Sequence, residues 1–149
     1  MRTLTLSAVA AMLPLAAMAE SQLTVSDAYA RSSRPEVGAA FMQIQNPTDQ
    51  ACELIAATSS LSDRVELHMH KEDANGVMQM MKSETGFPIP AQGEHALARG
   101  GDHIMFFGLE KPLENGGDVP VTLDFGPCGT LDVVVPVDNN RMPMHQMKH

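Results

Sequence analysis

Gly100-Gly101-Asp102-His103-Ile104-Met105-Phe106-Phe107-Gly108-Leu109 is the stretch that decides how the chain is read. Two glycines interrupt whatever precedes it, and the apolar run that follows is too short for a helix, so a strand is predicted from His103 to Leu109. Side chains alternate along a strand, which puts His103 and Met105 on one face and Ile104 on the other. The same pattern recurs in both directions. Strands are predicted near Leu23–Ser26, Ala39–Gln45, Cys52–Thr58, Arg64–His70, Val77–Lys82, His95–Ala98, Val119–Phe125 and Leu131–Val137. Asn46-Pro47, Asn75-Gly76, Asn115-Gly116-Gly117 and Gly126-Pro127 separate them. Many short strands with frequent turn signals imply an all-β sandwich or barrel.

The two ends have a different composition. Arg2 precedes an uncharged, mostly apolar run from Leu4 to Ala19 that closes on Ala17-Met18-Ala19. That is the pattern of a secretory signal peptide over residues 1–19, cleaved after Ala19 and too short to be kept as a membrane span. Residues 20–138 form one domain of modest core, with no later run long enough to cross a bilayer. From residue 139 the apolar pattern stops, and 139–149 is expected to be a flexible tail. The chain's formal charge of −8 becomes −9 once Arg2 leaves with the signal. This charge disfavours nucleic acid as a partner, because phosphate backbones demand a Lys/Arg-rich face. Cys52 and Cys128 would sit in an oxidising compartment, either as a disulfide or as two buried thiols, and their spacing is not that of a CxxC redox pair.

Methionine is the compositional anomaly, at twelve residues against five Phe, one Tyr and no Trp. After signal removal, Met69, Met78, Met80, Met81 and Met105 cluster in the middle of the chain, and Met142, Met144 and Met147 in the tail. Five histidines follow them: His68, His70 and His103 in the middle, His145 and His149 in the tail. Thioether is a soft ligand and neutral imidazole an intermediate one, so sites mixing them select Cu(I) over Mg²⁺ or Ca²⁺. His68 and His70 share a strand face, with Val65 and Leu67 turned to the core. Met42, and Met78 with it, read best as packing, and His95 as a hydrogen-bonded histidine. The quartet His68, Met80, His103 and Met105 is the predicted metal site.

Several of these words together resemble a known family. Val65-Glu66-Leu67-His68, Gly76-Val77-Met78-Gln79-Met80, Ile89-Pro90-Ala91 and Gly100-Gly101-Asp102-His103-Ile104-Met105 are similar to the periplasmic copper chaperones called PCu(A)C. The family spaces a first His and a Met by ten residues, and that Met and His-x-Met by twenty-one. Strict spacing selects His70 and Met81 with His103 and Met105, whereas the local words select His68 and Met80 with one extra residue in each gap. The context frame is preferred, with His70 and Met81 as alternates. The resemblance implies a cupredoxin-like Greek-key β-sandwich that is a carrier and not an enzyme. It would take Cu(I) to a copper-accepting protein, a cytochrome c oxidase subunit or another assembly factor.

Passive copper storage or tolerance in the envelope is the alternative. A blue-copper electron carrier is disfavoured, since Cys128 has no His or Met near it in sequence. No Ser/His/Asp constellation, phosphate loop or HExxH helix points to catalysis. The tail set Met142, Met144, His145, Met147 and His149 reads as a second, looser copper site able to accept Cu(II), because imidazole suits that ion better than thioether does.

Overall fold

The computed structural model describes residues 20–142; the expected signal peptide and the tail ligands Met144, His145, Met147 and His149 lie outside the described residues. Eleven strands are present among them: β1 Thr24–Arg34, β2 Val37–Gln45, β3 Cys52–Leu54, β4 Ala56–Thr58, β5 Arg64–Glu72, β6 Met78–Lys82, β7 Phe87–Ile89, β8 Glu94–Leu97, β9 His103–Phe107, β10 Asp118–Asp124 and β11 Thr130–Pro136. All named pairings are antiparallel. The larger sheet runs β1-β2-β9-β5-β6, with β8 taking the half of β2 that β9 leaves free. A second sheet runs β11-β10-β4, and β3 pairs with β7.

Alternation along the strands explains why two layers form. Leu67 on β5 and Ile104 and Phe106 on β9 point inward, where they join Val119, Val121, Leu123 and Val135 of the second sheet in one apolar core. Burying each such side chain stabilises the fold by about 1.5–3 kcal/mol. Met42 lies in that core, as predicted for a packing residue. The result is the all-β Greek-key sandwich expected from the resemblance.

The cysteines are joined: Cys52 of β3 and Cys128 of a short 3₁₀ turn, Gly126–Cys128, form a disulfide with Cα atoms 6.0 Å apart. Of the two possibilities the sequence left open, this is the bonded one. The chain also stays tied to the domain past Asp138, because Asn139 Oδ1 accepts from Ser32 N–H at 2.8 Å and Arg141 pairs with Asp27. The first residues of the expected flexible tail, Asn139 and Arg141, are thus held to the domain by side-chain amide and guanidinium bonds, and residues 143–149 lie outside the described residues.

Candidate metal centre

The outer face of the larger sheet carries the predicted ligands, and the strand register assembles them in rows. His103 lies opposite His68, which lies opposite Lys82; Met105 lies between Ala39 and Glu66. His70 faces Met80 across the β5–β6 hairpin. Directly opposed residues in an antiparallel pair share a face, so His68, His70, Met80, His103 and Met105 are on one side. Met81 is opposite Met69 instead, on the parity of Leu67 and Ile104, and does not join them. The strict-spacing alternates are thus split, His70 on the ligand face and Met81 off it. Met78, read as packing, is exposed on the ligand-face parity, because β6 is an edge strand with nothing laid over it.

Ring geometry brings the three imidazoles together. The His103 centroid is 5.4 Å from that of His70 and 5.9 Å from that of His68. Tyr29, Ala39, Phe41 and Met105 form a small apolar cluster on this face, and Phe41 approaches His103 at 5.8 Å. His103 and Met105 are only 4% and 5% exposed, whereas Met80 is 51% exposed, so one side of the set is fixed and the other is open to solvent. A pocket of about 290 Å³ opens here, lined by His70, Met80, His103, Met105, Phe41 and three arginines.

Hydrogen bonds decide which ring nitrogen each histidine can offer. Glu66 Oε2 can only accept, so His68 donates Nε2–H to it at 2.8 Å. The other nitrogen, Nδ1, is buried without a partner. The carbonyl of Gly101 accepts Nδ1–H from both His70, at 3.0 Å, and His103, at 2.9 Å, which leaves Nε2 on each ring. Gly100, at φ +85°, makes the turn that delivers this carbonyl. Orienting partners of this kind set the tautomer of metal-binding histidines.

Electrostatics favour the ligating form of His103. Burial pushes the His103 pKa below its ordinary value, and the neighbouring His70 and His68 push the same way against the Gly101 hydrogen bond. The Glu66 carboxyl is held below the usual carboxylate range chiefly by its hydrogen bond to His68, with Arg64 and Lys82 adding to it. No trio of His, Cys, Asp or Glu gathers in metal-holding geometry among the described residues, which leaves the thioethers of Met80 and Met105 as the further donors on this face. His95 donates to Asp102 at 2.9 Å and stacks on Phe87, away from the ligand rows. Met142 lines an adjoining pocket with Tyr29, Phe41, Arg99 and Arg141.

Glu66, the Gly101 carbonyl and the arginines were missed in the sequence. Glu66 alone had a signal there, standing two residues before His68 on the same strand face.

Known proteins share this chain's sequence and shape. A protein of Leifsonia xyli subsp. xyli, named "Putative lipoprotein Lxx21020", is 38% identical over 113 residues, covering 76% of this chain and 68% of its own. The solution structure of apo-DR1885 from Deinococcus radiodurans is 31% identical, with a TM-score of 0.59 over 93% of this chain and 95% of that one. The same protein is known in a CuI form, which aligns at a TM-score of 0.58 over 78% of this chain and 79% of that one. The apo PCuAC domain from PmoF1 superposes with a TM-score of 0.66 over 80% of this chain and 96% of its own; at 19% identity it supports the fold alone. The profile described as "Putative lipoprotein LpqE-like" matches residues 23–137, and the chain therefore belongs to this LpqE-like family, which is the PCu(A)C family its His and Met words resemble.

Proposed function

We propose that the protein is an exported, periplasmic Cu(I) chaperone, processed after Ala19, that supplies copper for cytochrome c oxidase assembly. Cu(I) is held by His103 and Met105 of β9, Met80 of β6 and His68 of β5, while His70 guards the open side. The observation that carries this reading is the buried, partnerless Nδ1 of His68, on a ring whose centroid is 5.9 Å from that of His103 and whose Nε2–H donates to Glu66. A buried imidazole nitrogen without a partner costs about 1–3 kcal/mol, and a soft metal removes that cost. The copper-loaded form of the 31%-identical relative supports the choice of ion.

Met80 gives the site its exit. A partner's ligand can bind the metal from the exposed side before the buried ligands release it, so copper passes by exchange and is never free. No reacting bond is made or broken in the cargo, consistent with a carrier. The tail from Met142 to His149 serves as a looser, Cu(II)-accepting site whose affinity is reduced by the entropy of ordering it.

Competition of the mature protein with a chromophoric Cu(I) chelator tests the site: one tight equivalent is expected. Deleting the gene tests the role. Oxidase activity lost and restored by added copper supports delivery, and copper sensitivity with normal oxidase supports storage instead.

A further inference from the structure

Among the side chains that are not ligands, the cations are the most unevenly placed. The chain has ten Lys and Arg against eighteen Asp and Glu, yet the outer sheet face is basic. Register puts Arg31 opposite Ala39, Arg34 opposite Val37, Arg64 opposite Phe107 and Lys82 opposite His68, all on the ligand side. Arg99 lines the metal pocket beside Arg31 and Arg34, and the Arg141 guanidinium lies 4.7 Å over the Tyr29 ring. Two carboxylates on this side are engaged: Glu66 with Arg64 at 3.2 Å and Lys82 at 3.8 Å, and Asp27 with Arg141. Glu72 sits at the far end of the β5–β6 hairpin, opposite Met78.

Arg31, Arg34 and Arg99 have no carboxylate partner among the described residues, and the Arg31 Nε is buried with no hydrogen bond. Guanidinium groups fit carboxylates with paired hydrogen bonds, so three of them around one pocket favour carboxylates entering it. Beside them the edge strand β6 exposes Met78 and Met80, preceded by an exposed Val77. A small anion would use the arginines and leave this apolar edge bare. A flat lipid surface could not reach a half-buried guanidinium inside a pocket, whereas a protruding protein segment can.

We propose that this face docks an acidic protein segment, whose carboxylates enter among Arg31, Arg34 and Arg99 while its apolar side chains cover β6. The proposal rests on the copper reading only for the identity of that partner as the copper acceptor. Opposite charge would bring an acidic acceptor to the metal pocket and turn basic proteins away.

Two synthetic peptides with the same Met/His core, one flanked by Asp and Glu and one by Lys, serve as probes. Each is titrated into the metal-free full-length mature protein by NMR, and each is offered to the Cu(I)-loaded protein in a transfer assay. The acidic peptide is expected to shift residues of β1, β5 and β6 and to take copper at least about tenfold faster at low salt. That advantage should shrink as salt approaches about 0.15 M, where charges are screened beyond roughly 8 Å. In Arg31→Gln/Arg34→Gln the acidic-to-basic rate ratio should fall towards one; the ratio is internal to each variant, so a changed copper affinity cancels. Should that variant not fold, Arg99→Gln and the wild-type salt dependence carry the test. Equal binding and equal rates for the two peptides at low salt overturn the proposal. So does binding of anionic vesicles by this face with no preference between peptides. A protein that binds the acidic peptide on this face but fails the chelator competition keeps the docking surface and loses the copper reading.

Discussion

The two faces of the larger sheet are built from the same strands and do opposite work. On β9, Ile104 and Phe106 turn inward and are fully buried among aliphatic side chains of the second sheet. One residue away, His103 and Met105 turn outward and are nearly as buried, yet they rest on a small cluster of Tyr29, Ala39 and Phe41. Burial alone therefore does not say what a residue is for. Burial on the inner face serves stability, and burial on the outer face holds nitrogen and sulfur lone pairs in place, as the proposed metal site requires.

The largest expected effect lies on the inner face. Phe106→Ala should cost about 3–5 kcal/mol of unfolding free energy, through lost transfer energy and the cavity left behind, measured by denaturant titration of the metal-free protein. If the folded fraction still binds Cu(I) tightly, the two faces are separable. Next comes His103→Ala with Met105→Ala, expected to lower Cu(I) affinity by more than about a hundredfold, beyond what losing an orienting partner costs. The same variant should lose less stability than Phe106→Ala; an equal or greater loss would make the outer face a second core and break the distinction.

A finer effect separates the two histidines of β5. His68→Ala should weaken Cu(I) binding more than His70→Ala in chelator competition, because His68 has the buried free nitrogen; His70 is the rival, since it and not His68 lines the pocket with Met80, His103 and Met105. The reverse order would move the fourth ligand to His70, still with Met80, since Met81 is on the other face.

The smallest effect is a pH slope. Since burial in the folded protein depresses the His103 pKa below its ordinary value, the unfolded chain takes up this proton first as pH falls. The metal-free protein should hold its full contribution above about pH 6.5 and lose it as pH falls through the depressed value, with a slope of at most one proton, about 1.4 kcal/mol per unit. Glu66, depressed from 4.5, adds a separate loss at more acidic pH. Thermal melts of wild type and His103→Ala between pH 7 and 5 check this; identical slopes would remove His103 as the source.

Alternation made much of this legible in advance. It separates His103 and Met105 from Ile104, and His68 from Leu67, on the sequence alone. Strand limits were less legible. The segment Asp27–Arg34 is polar and contains Asp27 at φ 53°, yet it continues β1 across a bulge. Phe87–Ile89 carries Pro88, which argues against a strand unless it lies at an edge, as it does against β3. Cys52–Thr58 was read as one strand, but the chain changes partners at Ile55, from β7 to β10. The arginine-lined pocket was illegible for a deeper reason: Arg99 is near His103 in sequence, in the turn between β8 and β9, but Arg31 reaches the same pocket only through pairings between β1, β2 and β9, and no local spacing encodes which strands become neighbours.

The bond between Cys52 and Cys128 sets an order of events in the life of the molecule. Thiolate is a stronger Cu(I) ligand than thioether, and a reduced chain would offer two thiolates whose Cα atoms are only 6.0 Å apart. Copper arriving early would be trapped at that sulfur pair, remote in sequence from the His and Met words, and held too firmly to be surrendered. If the Met/His face is to receive the copper, oxidation comes first and metallation second, so that the sulfurs left to compete are ones that bind copper softly enough to give it away.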